Sequence, residues 1–123
     1  TFLREGGNRV PSITSDLIRG HTDTIILAHL LEKDSYGYEI NKAIQQCTGG
    51  LYELKEATLY TAFRRLEQNG AIVSYWGDET TGARRRYYAI TESGRALYTQ
   101  LKDDWDTAKM FIDRLINQPS EEL

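Results

Sequence analysis

One cysteine, one methionine, two prolines and two histidines are all that the 123 residues hold of those types. Cys47 alone closes no disulfide within the chain and marks no oxidising compartment. With two histidines beside it, the set is too small for a familiar structural zinc site, so neither a metal nor a cofactor is expected. No apolar run approaches the roughly 18 residues of a membrane span. The opening TFLREGGNRV carries no apolar stretch of the signal-peptide kind, and a cytoplasmic chain without membrane contact is the expectation. Also missing are a G-x-S-x-G turn, an H-E-x-x-H helix, a phosphate-binding loop and paired metal-binding cysteines, which disfavours an enzyme.

Charge of one sign is scarce as well. Lys and Arg number 15 against 18 Asp and Glu, for a net charge of −3, which argues against a simple polyelectrolyte binder. The distribution says more. Residues 55–95 hold seven basic and five acidic groups, whereas 1–54 and 96–123 are both net acidic. A surface for a polyanion can therefore lie in the middle of an acidic chain. The length suits one domain with an added arm.

What is present is strong periodicity. Residues 1–12 are polar, with Gly6, Gly7 and Pro11, and read as a loose arm. Ser12, Thr14 or Ser15 can cap a helix running to about Glu32. Its apolar positions wrap widely, so burial on more than one side is expected. A second helix spans about Tyr36 to Cys47, stopped by Gly49-Gly50, and a third spans Glu56 to Asn69, stopped by Gly70. The period then falls to two. Ala71–Trp76 and Arg84–Ile90 read as short strands joined by a polar loop, a β-hairpin. Thr91-Glu92-Ser93 opens a last helix to about Asn117. The order predicts a mainly α chain with a small β-hairpin, a winged helix-turn-helix followed by a C-terminal helix. The hairpin must lie on the helices to be stable.

The third helix is the most informative element. At 100° per residue, Leu59, Ala62, Phe63 and Leu66 share a stripe. Tyr60, Thr61, Arg64 and Gln68 occupy the opposite face, with Thr58 and Arg65 flanking it. One face can join a core while the other offers donors to a major groove. Arg84-Arg85-Arg86 at the return of the hairpin concentrates three cations, with Arg84 and Arg86 on one side and Arg85 on the other if the strand continues. A solvated helix face and a solubilising hairpin edge remain the plain alternatives, as does a winged helix that binds protein and no nucleic acid.

The last helix repeats Leu97, Leu101, Trp105, Ala108, Ile112 and Leu115 as one stripe, widened by Phe111 and Ile116. After a three-helix core nothing in the same subunit is expected to cover it, so it is expected to pair two copies through Leu101, Trp105, Ala108, Ile112 and Leu115. Packing back on the first helix is the alternative. His21 and His29 read as surface or interface groups, and Cys47 as a small buried hydrophobe.

The stretches Glu56-Ala57-Thr58-Leu59-Tyr60, Arg65-Leu66-Glu67-Gln68-Asn69-Gly70 and Arg85-Arg86-Tyr87-Tyr88-Ala89-Ile90-Thr91-Glu92-Ser93-Gly94 resemble the PadR family of transcriptional regulators. Tyr36-Gly37-Tyr38-Glu39-Ile40 matches the family's second-helix opening, and the likeness covers about residues 17–116. Ser74 to Glu79 with Gly82, Arg84 and Arg85 is similar in particular to the small multidrug-binding members. The resemblance implies a homodimeric winged-helix repressor on a palindromic double-stranded operator. DNA contacts would then fall on Tyr38, Ala57, Thr58, Tyr60, Thr61, Arg64, Gly82, Arg84 and Arg85. Close relatives carry a lysine where this chain has Gln68. The resemblance also implies a planar aromatic ligand between subunits, lined by Leu17, Thr24, Leu27, Trp105, Ala108 and Lys109. Relatives place an acid where Lys109 stands, so a neutral or anionic ligand is favoured over a cationic one. The organisation expected is an arm at 1–12, a DNA-binding unit at 13–91, a dimerisation helix at 92–117 and a tail at 118–123.

Overall fold

The computed structural model describes residues 12–78 and 84–118. Their elements run α1 (Ser12–Arg19), α2 (Thr22–Glu32), α3 (Gly37–Cys47), α4 (Glu56–Gln68), β1 (Ile72–Trp76), β2 (Arg86–Ile90) and α5 (Glu92–Ile116). The expected helix from Ser12 to Glu32 is thus two helices, a correction. Gly20 and His21 interrupt it, and His21 N–H donates to Ile18 O (2.8 Å) in a tightened last turn. The Thr22 hydroxyl donates to Arg19 O (2.7 Å), satisfying a carbonyl that α1 leaves open. α1 buries no residue, whereas α2 buries Ile26, Leu27 and Leu30.

The core gathers those three with Ile40 and Ile44 of α3, Leu59, Ala62, Phe63 and Leu66 of α4, and Leu54, Ala71, Ile72 and Tyr88. Phe63 and Tyr88 stack with ring centroids 3.9 Å apart, which seats the hairpin on α4. β1 and β2 pair antiparallel, Ile72 opposite Ile90 and Trp76 opposite Arg86. Gly70, at φ 78°, ends α4 in the left-handed conformation that glycine adopts without penalty. Ala71 N–H then reaches back to Leu66 O (2.9 Å). Asn41 joins α3 to the segment before α4: its amide donates to Leu54 O and its carbonyl accepts from Leu54 N–H, both at 2.8 Å.

Thr91 caps α5, its hydroxyl oxygen accepting from Gly94 N–H (3.0 Å). The first turns of α5 lie on the molecule itself. Leu97, Tyr98 and Leu101 pack against the core, so the stripe of α5 is partly covered within its own chain, contrary to the expectation that nothing there would meet it. Beyond Trp105 the helix stands clear, with Met110, Phe111, Ile112, Leu115 and Ile116 all exposed. Leu27 needs correction as a cavity-lining residue: at 0% exposure it is packed among Ile26, Leu30 and their neighbours. Cys47 is exposed, also contrary to expectation, because it lies at the end of α3 beyond Ile44, which takes the burial.

Candidate nucleic-acid interface

Helix α4 divides by face as its sequence requires. Leu59, Ala62, Phe63 and Leu66 face the core, while Ala57, Tyr60, Thr61, Arg64 and Gln68 are exposed and Thr58 is half-buried. The Tyr60 ring meets Phe63 edge-on at 5.4 Å and its hydroxyl lies over Gly37. A Cβ on residue 37 would come within 2.7 Å of that oxygen, so the absence of a side chain lets α3 and α4 approach there. Tyr38, 70% exposed, stands next to this contact. A groove of about 280 Å³ between the two helices is lined by Tyr38, Lys42, Lys55 and Tyr60. On the other flank a depression of about 320 Å³ is lined by Arg19, Ala57, Thr58, Thr61 and Arg65.

The cations here have different uses. Arg65 is held by Asp23 of α2 through Nε at 3.3 Å and a second, shorter bond from Nη2. That bond raises its pKa and ties α4 to α2, so Arg65 serves the fold. Arg64 is exposed on the outward face. Lys42 and Lys55 were not anticipated as members of this surface. Lys42 follows Tyr38 by one helical turn and Lys55 directly precedes α4, and those spacings were the available signal. Arg19, paired with Asp16, joins them only through the bend between α1 and α2.

On the hairpin, Arg84 and Arg86 lie over the Trp76 ring at 5.4 and 5.3 Å, and Arg85 lies over Tyr36 at 4.9 Å. The alternation read from the sequence places them on these two sides. Arg86 also donates to Ser74 Oγ (2.8 Å), whose hydroxyl donates to Glu67 of α4 (2.7 Å). Tyr75 donates to Asp34 Oδ2 at 2.5 Å, and that carboxylate pushes the phenol up to about 12. Gly82 lies outside the described residues.

Trp105 is 39% exposed. His21 meets it edge-on at 4.8 Å, and Lys109 Nζ lies 6.0 Å from its ring centre. Lys109 is also 3.9 Å from Asp106. Leu17 is exposed on α1, while Thr24 and Ala108 are half-buried. A more apolar groove, about 410 Å³, lies elsewhere, between Ile18, Ile25, His29, Ala43, Ile44 and Cys47. None of the residues expected around an aromatic ligand lines it. Among the described residues no group of His, Cys, Asp and Glu could hold a metal, and no helix is long and apolar enough to cross a membrane.

The same chain architecture recurs in known proteins. A family model described as the transcriptional regulator PadR-like family matches residues 26–100. The structure of a transcriptional regulator from Clostridium thermocellum is 52% identical with a TM-score of 0.78, over 88% of this chain and 100% of that one. A PadR family transcription regulator from Clostridium difficile R20291 is 34% identical with a TM-score of 0.70, over 80% of this chain and 100% of that one. A protein of Lysinibacillus sphaericus is 48% identical over 101 residues, 82% of this chain and 93% of its own length.

Proposed function

The chain belongs to the PadR-like family of transcriptional regulators, and from that premise we propose that it is a dimeric, sequence-specific DNA-binding repressor. The observation that carries this reading is α4: one face is locked into the core, and the other presents Tyr60, Thr61 and Arg64 beside exposed cations. A rigid helix with donor-rich tips suits the major groove, and the hairpin cations suit the flanking phosphates. Tyr38, Ala57, Thr58, Gly82, Arg84 and Arg85 complete the proposed contact set. Lys42 and Lys55 extend it along the backbone.

In this reading residues 13–91 form the DNA-binding unit and 92–117 the dimerisation helix, working in the cytoplasm. The outer half of α5, with Trp105, Ile112 and Leu115 exposed and Ala108 half-buried among them, supports pairing of two copies. Two recognition helices would then address half-sites about one helical turn, or a multiple of it, apart. A planar aromatic ligand beside Trp105, Ala108, Leu17 and Thr24 would act by favouring one angle between the copies over another. Lys109 over the indole favours a neutral or anionic ligand, as in the finer likeness to the small multidrug-binding members but with the charge preference changed.

The test is anisotropy with the promoter fragment of the protein's own gene against an unrelated duplex, at several salt concentrations. Tighter, salt-dependent binding to the promoter is expected, and Arg64→Ala should weaken it by about 1–3 kcal/mol if Arg64 reads a guanine. Equal affinity for both duplexes at about 0.15 M salt overturns the reading. Sedimentation equilibrium should give twice the 14.1 kDa chain mass.

A further inference from the structure

Ser35 is one of two buried polar side chains among the described residues, and at 0% exposure its hydroxyl reaches no water. Such a group is costly unless it is bonded at both ends. It is. The hydroxyl donates to Glu39 Oε1 at 2.7 Å and lies 2.9 Å from His29 Nε2. Because the one proton of Ser35 goes to the carboxylate, the imidazole must be the donor at Nε2. Lys33 completes the chain, donating to Glu39 Oε2 at 3.1 Å.

The backbone of the same residue holds the hairpin. Ser35 N–H donates to Tyr88 O (3.2 Å) and Tyr88 N–H donates to Ser35 O (2.8 Å), so residue 35 pairs with the open edge of β2. Its neighbours hold the hairpin too. Asp34 takes the Tyr75 hydroxyl, and Tyr36 meets Tyr87 edge-on at 5.2 Å while carrying Arg85 on its face. Three of the four residues connecting α2 to α3 therefore dock the wing. Tyr88, paired with it, stacks on Phe63 of α4. The place of the wing arginines relative to the recognition helix passes through this point.

We propose that Glu39 and His29, acting through the buried Ser35 hydroxyl, are positioning residues that fix the wing arginines at the distance from α4 that the operator requires. They touch no DNA. Glu39 draws the hydroxyl from α3, His29 supports it from α2, and together they leave residue 35 a single place along β2. The proposal rests on the reading that the wing contacts phosphate.

A double-mutant cycle on operator affinity tests it, with Glu39→Gln, Arg85→Ala and the pair, and with Ser35→Ala as a second entry into the network. Glu39→Gln keeps volume and removes the charge that holds the hydroxyl. We expect Glu39→Gln and Arg85→Ala each to weaken operator binding about tenfold, the scale of a lost hydrogen bond to a charged group. The pair should weaken it little beyond either single change, because a displaced wing has already lost the Arg85 contact. Glu39→Gln should also lower the salt slope by about one, as Arg85→Ala does. A general loss of fold would instead add to the Arg85 effect and leave the slope alone. Strictly additive losses with an unchanged slope overturn the positioning role. If Arg85→Ala by itself leaves affinity and slope intact, the wing reading falls and this inference with it. Ser35→Ala serves if Glu39→Gln fails to fold, judged by circular dichroism, and the same outcomes apply to it.

Discussion

Leu59, Ala62, Phe63 and Leu66 of α4 and Ala108, Phe111, Ile112 and Leu115 of α5 follow the same helical spacing, yet the first set is almost wholly buried while Phe111, Ile112 and Leu115 are exposed. Both stripes declare a need for cover. For α4 the cover is assembled from α2, α3 and the hairpin, all in one chain. For α5 the core contacts end at Leu101, His21 meets Trp105 one turn on, and the helix continues for four more turns past the last core residue it touches. The difference shows what an amphipathic pattern specifies: that a face will be covered, and nothing about which chain covers it.

The comparison breaks most visibly with one phenylalanine from each helix. Phe63→Ala opens the centre of the core and should cost about 3–5 kcal/mol. The urea midpoint should fall alike at two protein concentrations about a hundredfold apart. Phe111→Ala should lower the midpoint only at the higher concentration, where α5 has a partner. At the lower concentration its effect should stay within about 0.5 kcal/mol, as for an ordinary exposed site. Equal losses from both substitutions at both concentrations would mean that the outer half of α5 is packed within its own chain.

A second contrast lies inside α5. Gly94 is its one buried residue, and a Cβ there would come within 2.1 Å of Ala71 O and 2.7 Å of Ile90 Cγ1. Backbone cannot yield as a side-chain tip does. Gly94→Ala should therefore destabilise the fold by roughly 1–3 kcal/mol despite the better helix propensity of alanine. Thr107→Ala, on the exposed half, should change the thermal midpoint little. A neutral Gly94→Ala would show that α5 sits looser on the hairpin than this contact implies.

Much of this was legible in the residues. The change of period from 3.6 to 2 after Gly70 located the hairpin, and α4 announced both of its faces. The break at Gly20 and His21 was not legible, because the apolar pattern runs through it and one glycine is tolerated within a helix. Leu27 entered the expected cavity only through the resemblance; α2 is apolar on several sides, and its pattern does not rank which side is deepest. The covered start of α5 stood only as the alternative, packing back on the first helix, because a stripe does not name its partner. Arg19 joins the candidate interface only through the bend between α1 and α2. The Glu39, Ser35 and His29 network joins two helices and a strand edge, and a buried serine carries no pattern that marks it in advance.

The smallest expected effect compares a charge at the packed end of the molecule with charges on the free end. Burial lowers the pKa of His29 from its ordinary 6.5; Glu39 and Glu32 oppose that shift, Lys33 adds to it, and Cys47 and Tyr52 share its groove. A histidine whose folded pKa is depressed binds protons more readily when unfolded. Its contribution to stability is therefore complete above pH 6.5 and is lost as pH falls from there through the lower folded value. On α5 the opposite environment holds. Lys102 donates to Asp106 at 2.8 Å in full solvent, and this bond holds the Asp106 carboxyl below its ordinary 3.8. That contribution is present above pH 3.8 and disappears only in more acid solution. The two also differ in origin, since desolvation dominates at His29 and a solvated ion pair at Asp106. Raising salt to about 1 M, where screening reaches about 3 Å, should erase the loss tied to Asp106 and leave most of the loss tied to His29. Thermal midpoints of wild type and His29→Gln between pH 7.5 and 5 check this: the wild-type midpoint should fall with acid in low and high salt alike, and the variant should lose less. A wild-type slope in this range that vanishes at high salt would mean that ion pairs rather than burial set the titration of His29.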